Sequence, residues 1–168
     1  MDRRKKPERL FKLAAAFPEV RFILAGQAQN PAYDKKLTEL FSKLPNVTKV
    51  GFLDQFADQR LSNLMSESWI LVNTSYREGL PNSFLEAAAH GCAILASVNP
   101  DDFTRRFGAH AAHDDFESCL SQLLENNEWQ AKGEAGRAYV SARQEAPVAA
   151  TLHKEIYLAT MKKSYGEG

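Results

Sequence analysis

The stretch that most constrains this chain is residues 70–97, ILVNTSYREGLPNSFLEAAAHGCAILAS. Ile70 to Val72 has the unbroken apolar character of a strand buried on both faces. Pro81, Asn82 and Ser83 then open a helix, and Ala93 to Ser97 supplies a second strand. Between the first strand and the helix runs a loop, Arg77 to Asn82, that carries a carboxylate. That loop sits at the carboxyl end of its strand, where open α/β sheets bind ligands.

The loop and helix suit an anionic, hydroxyl-rich ligand. The first amides of a helix lack intrahelical partners and face the positive end of its dipole, so they hold phosphate well. Gly79 permits close approach of the backbone. Glu78 lies in the loop and Glu86 one turn into the helix. A carboxylate has two acceptor oxygens, enough to take both vicinal hydroxyls of a ribose at Glu86 and sugar hydroxyls at Glu78. Together these groups describe a nucleotide-sugar site. Two plainer readings stand beside it. Ser83-Phe84-Leu85-Glu86 also fits the S-x-x-E capping box, which would give Glu86 a purely structural duty. Glu78, in a loop beside Gly79, has no obvious structural duty, so a solvated surface charge is its plain reading and the spacing of the pair favours function.

The rest of the chain alternates strand and helix. Leu10, Leu13, Ala14 and Phe17 recur at helical spacing, as do Leu37, Leu40, Phe41 and Leu44. Val20 to Ala25 and Val47 to Phe52 read as strands, Gln59 to Ser66 as a helix, and Ala109 to Ala112 as a short strand. Phe116, Leu120, Leu123 and Leu124 mark a further helix. From Trp129 the pattern is helical, with Pro147 separating a helix that ends near Arg143 from a last one over Ala149 to Lys163. This order predicts an α/β domain, a Rossmann-like parallel sheet flanked by helices and ending in carboxyl-terminal helices.

With those residues in view, Glu78-x7-Glu86 followed by Ala87-Ala88-Ala89-His90-Gly91-Cys92-Ala93-Ile94-Leu95-Ala96-Ser97 resembles the EGxxxxxxEAxAxGxPVxxS pattern of the large retaining glycosyltransferase family of the GT-B fold. Lys5-Lys6-Pro7-Glu8 is similar to its lysine-bearing turn, Phe22 to Gly26 to its second strand and Val47 to Leu53 to its third. The resemblance implies that Glu86 holds the nucleotide ribose and Glu78 contacts the donor sugar near its 3-hydroxyl. It implies that the backbone of Gly79, Leu80, Pro81, Asn82 and Ser83 holds sugar hydroxyls and diphosphate. Lys5 would neutralise the departing diphosphate, the work of a cation placed where charge develops. Lys6 is the register alternative, and a solvated basic run, Arg3 to Lys6, is the plain reading of both. Gly51, Phe52 and Leu53 would meet the base. The implied activity is retaining transfer of a hexose from a nucleoside diphosphate sugar to a glycan, lipid or other hydroxyl acceptor, with no cofactor or metal required. The alternative is a non-catalytic nucleotide-sugar binding or interaction module.

Departures from the pattern shape further expectations. The family's first strand and its amino-terminal acceptor domain do not occur in these 168 residues. The whole chain is therefore expected to be a donor half, inactive alone. In the family's sheet the absent strand lies in the middle, which predicts two unpaired inner edges, and either marginal stability or closure of the gap by shifted strands or self-association. After Ser97 the family often shows a glycine pair, whereas this chain has Val98 to Phe103, so Asp101 and Asp102 read as a turn or a helix start.

Composition excludes several other classes. Basic and acidic residues balance at 21 each, which argues against a general nucleic-acid binder. No apolar run approaches membrane-spanning length and the amino-terminus lacks a secretory core, so a cytoplasmic protein is expected, with the cytosolic membrane face open to the full-length enzyme. Cys92 and Cys119 read as small reduced hydrophobes. His110 and His113 have a spacing that binds metal on a helix, but lack a third ligand and fit a polar loop. His90 reads as packing or capping beside Gly91.

Overall fold

A computed structural model describes residues 5–54 and 58–143, with residues 150, 151, 154, 155 and 158 beyond them. The chain runs α1 (Pro7–Ala16), β1 (Phe22–Ala25), α2 (Pro31–Phe41), β2 (Val47–Gly51), α3 (Arg60–Ser66), β3 (Ile70–Asn73), α4 (Asn82–Ala89), β4 (Ala93–Ala96), α5 (Phe103–Arg106), β5 (Gly108–His110), α6 (Phe116–Leu124) and α7 (Glu128–Arg143). The alternation expected from the sequence is present, with strand and helix ends displaced by one or two residues. Most of the last expected helix, 149–163, lies outside the described residues.

Among the described residues all strand pairing is parallel, but it divides into two sheets. β1 pairs with β2, while β3, β4 and β5 form a second sheet in that order. The break falls between β1 and β3, the expected place for an unpaired inner edge. It also corrects the reading of β3. Ile70, Leu71, Val72 and Asn73 are all only half-buried, whereas Ala93 to Ala96 in the doubly paired β4 are fully buried. A strand with one open edge leaves solvent beside its side chains, so apolar character overstated its burial.

One apolar core bridges the break. Leu10, Leu13 and Ala14 of α1 join Phe22 and Leu24 of β1, Leu37 and Phe41 of α2, Leu95 of β4 and Leu120 and Leu123 of α6. The opposite face of the second sheet has its own cluster, in which Phe84, Ala87 and Ala88 of α4 meet Ile94, Phe103, Phe107 and Val140. That cluster seats α4. Behind it α7 comes so close that a Cβ on Gly133 would lie 1.9 Å from the Gly91 carbonyl oxygen. Gly91 itself turns the chain from α4 into β4 at φ +80. Among the described residues, no helix is long and apolar enough to cross a membrane.

Candidate functional site

The carboxyl ends of β3 and β4 and the start of α1 converge on Glu78. Asn73, the last residue of β3, accepts the Ser75 amide on Oδ1 at 2.9 Å and turns the chain out of the sheet. The wholly buried Ser75 donates its hydroxyl to Glu78 Oε1 at 2.8 Å, and Asn73 Nδ2 donates to Glu78 Oε2 at 3.4 Å. The Lys5 ammonium meets the same carboxylate, while Thr74 Oγ1 donates to the Lys5 carbonyl at 2.6 Å. Burial pushes the Glu78 carboxyl up, but Lys5, Ser75 and Asn73 together outweigh it and leave its pKa below the ordinary 4.5. Glu78 is thus held by structural partners, which corrects its reading as a residue with no structural duty. Three partners leave acceptor capacity for a ligand hydroxyl.

Between the two candidate lysines the geometry distinguishes sharply. Lys5 reaches Glu78, whereas Lys6 takes a left-handed conformation at φ 45 and points its ammonium over the Tyr76 ring, 5.8 Å from the centroid.

The other glutamate has the opposite surroundings. α4 begins at Asn82 with the extended Pro81 as its N-cap, and no side chain caps it. Ser83 is already inside the helix, so Ser83 and Glu86 do not form a capping box, which requires the serine at the N-cap. The half-buried Glu86 instead lines a cavity of about 250 Å³ between α3 and α4, with Asp58, Gln59, Leu61, Ser62, Met65 and His90. No described side chain hydrogen-bonds its carboxylate. His90 is held in the cleft wall, with Ser62 Oγ 3.2 Å from Nε2 and Ser66 Oγ 3.4 Å from Nδ1. Gly79, between the glutamates, lacks a positive φ, and a Cβ there would meet open space. The fold does not demand that glycine.

The structure brings Lys5 to Glu78, but neither they nor Gly79 to Ser83 line the Glu86 cavity, and the other expected residues lie elsewhere again. Gly51 leaves β2 at φ 75 and Phe52 is 63% exposed, but neither they nor Leu53 line the Glu86 cavity. Asp101 and Asp102 form a left-handed turn at φ 48 and 59, with Asp102 accepting from Asn99. His110 ends β5 and His113 sits in a tight turn at φ 54, so the pair shares no helix. No group of three metal-binding side chains occurs among the described residues. Cys92 and Cys119 are free, and burial pushes the Cys92 thiol up to about 11. Sequence reasoning missed the cleft residues Asp58, Gln59, Ser62 and Met65, whose types carry no signal of their own.

The family profile described as glycosyl transferases group 1 matches residues 1–131, well over half of the chain. The chain belongs to that family. Solved structures agree on the fold. This glycosyl transferases group 1 chain superposes on WaaG, a glycosyltransferase involved in lipopolysaccharide biosynthesis, with a TM-score of 0.67 and 21% identity, covering 83% of this chain and 40% of that one. Anabaena Alr3699/HepE in complex with UDP and glucose gives 0.69 at 19% identity, covering 96% and 46%. Sucrose-phosphate synthase from Thermosynechococcus elongatus gives 0.69 at 24% identity, covering 94% and 44%. The chain therefore spans less than half of each neighbour. No curated protein matches it significantly by sequence.

Proposed function

We propose that this chain is the donor-binding domain of a retaining glycosyltransferase that moves a hexose from a nucleoside diphosphate sugar to a hydroxyl of a glycan, lipid or other acceptor. The observation that carries this reading is Glu86, which lines a cleft one turn into α4 while its carboxylate serves no described structural partner. In this reading Glu86 takes the ribose hydroxyls. Gly79 to Ser83 offers the uncapped helix amides to the diphosphate and sugar. Glu78 accepts a sugar hydroxyl with its remaining capacity, and the acceptor attacks on the face from which the diphosphate leaves.

Lys5 stabilises the leaving diphosphate. Its ammonium pairs with Glu78 in the structure, so donor binding adds or exchanges an anionic partner at a cation already in place. Gly51, Phe52 and Leu53 approach the base across the loop that follows β2. The acceptor falls to an amino-terminal Rossmann domain of the kind the GT-B fold pairs with a donor half, consistent with the partial coverage of the neighbours. The open edges of β1 and β3 favour self-association. A monomeric mass by light scattering at high concentration would count against that last point.

Supplying such an amino-terminal domain and assaying sugar transfer tests the reading. Transfer with retained anomeric configuration is the expected result, abolished by Glu86→Ala. Nucleotide-sugar binding without transfer under those conditions would indicate a silent binding module.

A further inference from the structure

Lys5 and Glu78 meet across a break in the hydrogen-bonded backbone. Lys5 leads into α1, whose far end is tied to the β1–β2 side by Asn46, the side-chain amide of which donates to the carbonyls of Ala14, Phe17 and Val20. Glu78 follows β3 in the other sheet, and no strand pairing joins the two sheets among the described residues. Side chains must therefore keep the pair in register.

One residue gathers most of those ties. Arg9 Nη1 donates to the Thr74 carbonyl at 3.1 Å and to Ser97 Oγ at 3.5 Å, and Nη2 pairs with Asp114 at 2.7 Å. Its three partners follow β3, β4 and β5 respectively, so one guanidinium draws the carboxyl ends of the whole second sheet onto the first turns of α1. The contacts also close a ring. From Arg9 one arm passes through Thr74 to the Lys5 carbonyl. The other passes through Ser97, whose hydroxyl donates to the Ser75 carbonyl at 2.6 Å, and through Ser75 to Glu78. Lys5 and Glu78 complete it.

We propose that Arg9 is a positioning residue for the diphosphate end of the donor site: without touching the ligand, it sets where the Lys5 ammonium stands relative to Glu78 and the start of α4. The inference rests on the proposed function. Arginine suits the position because its rigid planar fork spreads donors from two nitrogens over acceptors that stand apart, a span the compact ammonium of lysine lacks.

The test is calorimetric titration with whichever of UDP, GDP and ADP binds the wild-type chain, and with the parent nucleoside. Arg9→Met should weaken diphosphate binding roughly tenfold, the scale of one charge-assisted contact, and leave nucleoside binding unchanged. In a Lys5→Met background the same substitution should cause no further loss, because its effect runs through Lys5. Arg9→Lys should restore the affinity only in part. Equal losses for diphosphate and nucleoside, or full additivity with Lys5→Met, would overturn the proposal in favour of a general structural role. Should Arg9→Met not fold, Asp114→Asn loosens Arg9 from its exposed side and should give the same selective loss at about two- to threefold. Wild-type binding with unaltered Arg9→Met affinities overturns this inference alone. A folded wild type that binds none of the nucleotides removes the proposed function, and this inference with it.

Discussion

Glu78 and Glu86 lie eight positions apart, yet the molecule treats them in opposite ways. Glu78 is clasped by Lys5, Ser75 and Asn73 at the carboxyl end of β3. Glu86 rides on a well-seated helix and lines a cleft, and its carboxylate has no described partner. The contrast separates two ways of fixing a carboxylate. One carboxylate is fixed in place by polar neighbours, so disturbing it disturbs the fold. The other is fixed through its backbone, so its side chain is free for a ligand.

Four substitutions or conditions break or sharpen that contrast. The largest effect falls on the seat of Glu86: Phe84→Ala, which empties a fully buried aromatic position beneath α4, should cost about 3–5 kcal/mol by chemical denaturation. At the Glu78 end, Ser75→Ala withdraws a buried hydroxyl from a charged partner and should cost about 1–3 kcal/mol in the same assay. Acid should act on the Glu78 end as well. Its folded pKa lies below the ordinary 4.5, so the stability it contributes is complete above that value and is lost as pH falls through the folded pKa. Melting curves between neutral pH and pH about 3 should therefore show a steeper acid decline in wild type than in Glu78→Gln. Smallest of all, Glu86→Ala should leave stability within about 0.5 kcal/mol of wild type, since it removes no described contact. A substantial loss of stability in that variant would mean that Glu86 has a structural duty after all.

Much of the architecture was legible in the sequence because the signals were local. The apolar spacing of Leu10, Leu13 and Ala14 and the unbroken run Ala93 to Ala96 each mark a buried face. The lack of pairing between β1 and β3 was an expectation from the family pattern too. What escaped was non-local. Nothing in Ser83-x-x-Glu86 discloses that Pro81 takes the N-cap and displaces the serine into the helix. The half-burial of β3 goes with its unpaired edge, which its own residues do not disclose. Arg9 sits between apolar helix positions as an ordinary charge, and its meaning comes from Thr74, Ser97 and Asp114, which only the fold brings to it. Glu78 and Lys5 were separate candidates in the sequence, but neither their pairing nor the ring that holds it was readable there.

The central claim is that the two glutamates divide one donor site between them, and calorimetric titration of wild type, Glu78→Ala and Glu86→Ala with a nucleoside diphosphate and its sugar tests it most directly. The account predicts saturable binding of both ligands to wild type, a loss of roughly tenfold or more for both in Glu86→Ala, and a loss confined to the sugar-dependent increment in Glu78→Ala once its stability is matched. Equal affinities in wild type and Glu86→Ala, or no binding by the folded wild-type chain, would contradict it.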